Sequence, residues 1–269
     1  MPKLNTLPSN LEIDRATWQL CTKPQSLSFG RQLYRLQLDN QYYWLKIQAK
    51  DCQAVVEQNY LNELNFYQNR ADQIGCILPV DYVDLSAQDQ FKDTYTSLIL
   101  PHAMPWLSAA SDLTLSEIKD KILSLFDSIA ELAQLGLIHA DLKQEHLVNW
   151  QGKLKLLDFE QLQHIDISKP HLSATPRYMA PELFHGEGKS LQTELYAVGI
   201  IIYEWLSGQR LTANNYLDWA YLHCQHLDIE LPARYAGFLA LIRGLTAKLK
   251  SARLADIQAV KQVIQQINC

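Results

Sequence analysis

Residues 139–146 read His139-Ala140-Asp141-Leu142-Lys143-Gln144-Glu145-His146, and residues 157–160 read Leu157-Asp158-Phe159-Glu160. The first stretch places a carboxylate and a lysine two positions apart in a polar run. The second places a carboxylate at the end of the apolar run Leu154-Lys155-Leu156-Leu157. Upstream, Ile118, Ile122, Leu125, Ile129 and Leu132 recur at helical spacing, which predicts a long helix capped by Thr114 and ended at Gly136. Downstream, Ala197-Val198-Gly199-Ile200-Ile201-Ile202-Tyr203 is the longest apolar run. It is far too short for a membrane span and reads as a helix buried inside the protein.

The amino-terminal part has a different texture. Leu33, Leu36, Leu38 and the run Tyr42-Tyr43-Trp44-Leu45-Lys46-Ile47 flank a turn at Asp39-Asn40, so residues 17–47 are expected to be strands. Val55, Val56, Tyr60, Leu64 and Tyr67 predict a helix over residues 53–70. Further strands are expected at Ile77 to Val83 and at Thr94 to Leu100. Pro101 and Pro105 then punctuate the chain, and everything after them is expected to be mainly helical. Strands first and helices second suggest two lobes with a cleft between them, and clefts between lobes are favoured ligand sites.

The 269 residues, 48% of them hydrophobic, suffice for one large domain or two lobes with a real core. A formal net charge of −5 gives no support for nucleic acid as a partner. Five scattered cysteines (Cys21, Cys52, Cys76, Cys224, Cys269) contain no C-x-x-C pair and are read as reduced thiols rather than a disulfide frame or zinc site. The first six residues hold no apolar signal region, and a cytoplasmic location is expected.

Two carboxylates placed like Asp141 and Asp158 suit a division of labour. One orients the proton of an attacking hydroxyl, and the other holds the metal that bridges nucleotide phosphates, which is what phosphoryl transfer requires. Alone, Asp141 would read as a turn carboxylate capping backbone N–H groups. In company with Lys143 and Asp158 it does not.

From these residues the chain resembles the protein kinase superfamily from about residue 25 to 265, through partial matches in the right order. Tyr43-Trp44-Leu45-Lys46 is similar to the strand carrying the phosphate-binding lysine. Glu63 is similar to the helix glutamate that pairs with it, with Glu57 as the runner-up. Leu98-Ile99-Leu100-Pro101 resembles the hinge, Gly136 to Lys143 the catalytic loop, and Asp158-Phe159-Glu160 the metal motif. Thr175-Pro176-Arg177-Tyr178-Met179-Ala180-Pro181-Glu182 resembles the end of a Ser/Thr kinase activation segment. Glu194 to Gly199 and Tyr203 to Gly208 resemble the central helix of the helical lobe, and Arg253 the arginine that pairs with Glu182.

The resemblance implies an α+β, two-lobed protein-kinase-like fold. A small antiparallel-sheet N-lobe with one helix would span residues 1–100, a hinge 101–106, and a larger, mainly helical C-lobe 107–269. It implies Asp141 and Lys143 as catalytic residues, and Lys46, Glu63, Gly30, Leu100 and His102 as nucleotide-binding residues. It implies Asp158 and His146 as metal ligands. ATP and Mg2+ are the implied cofactors, with Mn2+ as the alternative ion. The implied partner is a protein substrate or a small hydroxyl acceptor. In the family His139 and Phe159 are packing residues, and Thr175 bonds to the catalytic aspartate.

The departures cluster. Only Gly30 matches the glycine-rich loop, with the small Ser26 and Ser28 nearby, and Trp44 stands where the family has alanine against the adenine. His146 stands where the family has a metal-binding asparagine: it binds metal weakly, the site uses one ion or manganese, or the chain is inactive. Glu160 replaces a glycine and either adds a metal contact or faces solvent. Ala140 replaces an arginine that would hold an activation-segment phosphate, so activity is expected not to require phosphorylation at Ser168 or Ser173. Three functions stay open: a Ser/Thr protein kinase, a kinase of a small molecule or lipopolysaccharide sugar, and a non-enzymatic binding scaffold.

Overall fold

The computed structural model describes residues 13–70, 73–166 and 174–268. Cys269, Ser168 and Ser173 lie outside them. The chain divides into two compact units. One is Met1–Met104 with Leu157–Glu160, and the other is Pro105–Leu156 with Gln161–Cys269.

The first unit is built on five antiparallel strands in the order β1-β2-β3-β5-β4. They are β1 (Thr17–Leu20), β2 (Arg31–Leu38), β3 (Gln41–Gln48), β4 (Asp81–Val83) and β5 (Ser97–Pro101). Asp39 and Asn40 both take left-handed φ values, 47° and 62°, so β2 and β3 join by a two-residue hairpin that matches their twist. This fixes the register Leu33↔Lys46 and Arg35↔Trp44. Because side chains alternate across a strand, Tyr43, Leu45 and Ile47 enter the core with Leu36, Ile99 and Phe91, while Trp44, Lys46 and Gln48 share the other face.

The expectation of strand throughout 17–47 is corrected at Pro24–Leu27, which forms a helical turn. Proline opens it with a pre-set φ, and Lys23 C=O accepts from Ser26 and Leu27 N–H. Gly30 ends this segment at φ 76°, and a Cβ there would lie 2.5 Å from Cys52 Sγ. The strand expected from Ile77 is confined to Asp81–Val83. Pro79 cannot donate to a ladder, and Ile77, which makes only an isolated β-bridge, and Leu78 are buried ahead of the strand. The helix spans Ala54–Arg70 and buries Tyr60, Leu64 and Tyr67, but Val55 is exposed.

The second unit carries the capped helix Leu115–Gln134. Thr114 and Glu117 cap each other reciprocally, and the predicted apolar stripe is buried throughout. The apolar run 197–203 lies in the helix Leu191–Ser207, buried from Thr193 to Leu206. Gly199 allows close approach there, since a Cβ would lie 2.7 Å from Thr246 Cγ2 and 2.8 Å from Leu245 Cβ. Within this mainly helical unit lie the hairpin Leu147–Trp150 with Lys153–Leu156 and the short strand pair Leu137–Ile138 with Gln163–His164. The hairpin's runs of four residues are too short to separate strand from helix by periodicity. Among the described residues no helix is long and apolar enough to cross a membrane, and Cys21, Cys52, Cys76 and Cys224 are free thiols.

His223 in this unit sets a pH limit. It is fully buried, stacked 5.8 Å from both Phe184 and Trp219, with Nδ1 2.8 Å from Tyr196 Oη. Burial pulls its pKa down to about 4, against the opposing pull of the Arg177 and Pro176 backbone. A depressed histidine contributes stability that is present above the unfolded value of about 6.5 and is lost as pH falls toward 4. Denaturant unfolding should therefore show roughly 3 kcal/mol more acid loss over that window in the natural chain than in His223→Phe. Equal slopes in both would show that His223 does not set the limit.

Candidate active site

In the first unit one cation sits among three carboxylates. The β3 pleat puts Lys46 on the face opposite the hydrophobic core. Its Nζ lies 2.5 Å from Glu63 Oε2, 3.1 Å from Asp158 Oδ1 and 2.6 Å from Glu160 Oε1. Glu63, on the helix Ala54–Arg70, is buried and also accepts from the Phe159 N–H at 3.0 Å. That bond fixes the segment carrying Asp158, which itself takes a left-handed φ of 65°. Phe159 is buried against Phe66 and Tyr67. Glu57 is elsewhere, accepting from Cys52 N–H and Tyr95 Oη.

Glu160, which the sequence left undecided, and Arg31, which it did not single out, complete this group. Glu160 is buried rather than solvent-facing, and Arg31 Nη2 lies 2.5 Å from its Oε2. Arg31 was legible in principle, since it pairs with Gln48 and so lies on the face that carries Lys46. Burial disfavours the Lys46 ammonium, but Asp158, Glu160 and Glu63 outweigh it and hold its pKa well above the ordinary lysine range. Burial pushes Glu63 up to about 7. Lys46 opposes that rise, and Asp158 and Glu160 add to it. Among the described residues Glu63, Asp158 and Glu160 also form the one set of donors close enough to hold a cation, with ligand atoms within 4.8 Å of one another. His146 is not in that set.

On the same face Trp44 pairs with Leu100 across β3 and β5. Its indole N–H donates to His102 Nδ1 at 3.0 Å, and the His102 N–H donates to Tyr42 C=O at 2.9 Å. The Trp44 bond requires His102 to carry any neutral-ring proton on Nε2.

The second unit holds Asp141, Lys143 and His146. Asp141 Oδ1 accepts from both the hydroxyl and the N–H of Thr175, at 3.0 and 3.2 Å, and Lys143 Nζ lies 3.3 Å from Oδ2. Ala140, before Asp141, takes a left-handed φ of 68°. Its N–H donates to Glu194 Oε2 and its C=O accepts from Lys189 Nζ, both at 2.7 Å. Burial pushes Glu194 up to about 7 against the pull of these backbone donors and Lys189. His146 is buried, its ring 5.5 Å from that of His139. Glu182 and Arg253 form a two-pronged pair at 2.6 and 2.9 Å. Lys189 had no signal in the sequence, because nothing in its spacing tells a buried lysine from a solvated one.

The protein kinase domain family matches residues 34–263. The chain therefore belongs to the protein kinase family, and its fold is the α+β protein kinase fold. The "Probable serine/threonine-protein kinase pknA2" of Bifidobacterium longum is 27% identical over 172 residues, 60% of this chain and 23% of the relative. "Probable serine/threonine-protein kinase PknB" of the same organism is 21% identical over 230 residues, 80% of this chain and 32% of the relative. "Serine/threonine-protein kinase plk-1" of Caenorhabditis elegans is 31% identical over 112 residues, 40% of this chain and 17% of the relative. The chain thus spans a third or less of the length of these relatives.

Proposed function

We propose that this chain transfers the γ-phosphoryl group of ATP to a Ser or Thr hydroxyl of a protein substrate. The observation that carries the reading is the Lys46–Glu63–Asp158 set, a buried cation held between a helix carboxylate and the carboxylate after an apolar strand. The first unit would bind the nucleotide and the second the acceptor.

Lys46 presents a compact ammonium to phosphate oxygens, and Glu63 holds it in place. Gly30 keeps the backbone before β2 free of a side chain, and Leu100 and His102 border the face that would take the base. The donor set offers carboxylate oxygen, which suits magnesium or manganese better than softer ions. Asp158 and Glu160 are the residues that would hold such an ion, in place of the expected pairing of Asp158 with His146. A bound ion neutralises charge on the phosphates. Asp141 takes the proton of the acceptor hydroxyl as its oxygen bonds to phosphorus and the bond to the departing ADP breaks. Lys143 neutralises charge beside it. The Thr175 bonds hold Asp141 in one rotamer, and the Glu182–Arg253 pair anchors the segment behind Thr175.

ATP turnover with a peptide acceptor, in magnesium and in manganese, tests this. Asp141→Ala should lose about 10²- to 10⁴-fold in rate, the usual contribution of a positioned proton acceptor, and Asp158→Ala at least as much. Equal background rates in the natural chain and both variants would sink the proposal. Transfer to a sugar lipid but not to peptides would reassign the acceptor.

A further inference from the structure

Two charged side chains hold the backbone on either side of Ala140. The N–H of Ala140 belongs to the peptide plane before it and is fixed by Glu194. The C=O of Ala140 belongs to the plane after it and is fixed by Lys189. With both planes held, φ and ψ of Ala140 are set together, and the direction in which Asp141 leaves the chain is set with them. Some such restraint is needed. A non-glycine residue at φ 68° sits in a sparsely populated region and persists only where the surroundings over-determine it.

Lys189 is unusual for this task because it is buried, only 7% exposed, and lysines are rarely buried unless paired. It lines one small cavity with Ala140, Asp141, Thr175 and Glu194. The side chain at position 140 ends at Cβ and brings no charge. The cation beneath this loop comes instead from the segment leading into the helix Leu191–Ser207.

We propose that Lys189 is a positioning residue for Asp141: its ammonium locks the Ala140–Asp141 peptide, so the loop is set by the chain's own cation. The inference rests on the reading that Asp141 receives the acceptor proton. The groups that face Asp141 are Lys143 and His139 on its own loop, Thr175 on the following segment, Glu194 on the helix, and Lys189. Burial lowers the Lys189 pKa, while Asp141 and Glu194 act to raise it.

The test uses three variants of the full chain, with melting temperature as the folding control. Lys189→Gln keeps a donor for the Ala140 carbonyl and loses the charge. Lys189→Met loses both, and Lys189→Arg keeps both. Gln and Arg, which keep a donor for the Ala140 carbonyl, should hold kcat within about threefold of natural. In Met, kcat should fall about tenfold or more with KM for ATP unchanged. Should Met fail to fold, Gln decides, since a donor without the charge should still hold kcat near natural. A natural kcat in folded Met, a tenfold or larger kcat loss in folded Gln, or a loss that merely follows melting temperature, would overturn the inference. If Asp141→Ala kept the natural rate, the reading beneath it would fall and the inference with it. If Asp141→Ala were inactive while the Lys189 variants stayed normal, only the inference would fall.

Discussion

Replacing Arg253 by Met is expected to lower the melting temperature by about 10 °C. The Arg253 side chain is fully buried. It holds Glu182 at 2.6 and 2.9 Å, donates to Gln192 C=O at 3.0 Å and to Ala247 C=O at 3.1 Å, and lies over the Tyr196 ring. Methionine fills part of the volume but leaves the Glu182 carboxylate buried without its cation. Breaking one partner out of a buried pair costs about 3–5 kcal/mol, chiefly through the charge left behind. Arg253→Lys should recover little, because an ammonium cannot reproduce the two-pronged contact and the two carbonyl bonds together. Glu182→Leu added to Arg253→Met should return part of the loss, since the stranded charge is then gone. Differential scanning calorimetry reads all three. A natural melting temperature in Arg253→Met, or full rescue by lysine, would mean the pair does not anchor this unit.

Lys46→Met is the second large effect. It removes the cation shared by Glu63, Asp158 and Glu160 and leaves Arg31, which contacts Glu160. Three carboxylates that were neutralised then repel one another, and Glu63 remains buried. A stability loss of about 3 kcal/mol is expected in calorimetry. ATP affinity, read by isothermal titration, should fall about a hundredfold or more as the phosphate-facing charge is lost and the carboxylates come to oppose the nucleotide. Lys46→Arg keeps the charge and should restore most of the stability while leaving ATP binding impaired, because the larger guanidinium cannot occupy the same point among three acceptors. Unchanged ATP affinity in Lys46→Met would remove Lys46 from the nucleotide site.

The two experiments address different units and different kinds of legibility. The Glu182–Arg253 pair was readable only through a family resemblance, since nothing local in either segment names its partner. The Lys46–Glu63 pair was half readable from physics. The strand pattern put Lys46 opposite the core, and the helix offered two carboxylates. Glu57 was the wrong one because it lies near the helix start, where it accepts from the Cys52 N–H and the Tyr95 hydroxyl. Glu160 shows the reverse: a glutamate after Asp158-Phe159 could bind metal or face water by sequence, and it is buried, with Arg31 on one of its oxygens and Lys46 on the other.

Local patterns by themselves determined the β2–β3 hairpin, the capped helix Leu115–Gln134, the buried helix Leu191–Ser207 and the order of the motifs. Each rests on periodicity, a cap or a turn residue within a few positions of what it specifies. Tertiary structure alone decided the pairing of Arg31 with Glu160, separated by 129 residues, of Trp44 with His102, separated by 58, and of Lys189 with Ala140, separated by 49. Spacing reveals which face a side chain occupies. Which distant group meets it there depends on how the elements pack, and for a buried charge that meeting decides whether the residue is tolerated at all.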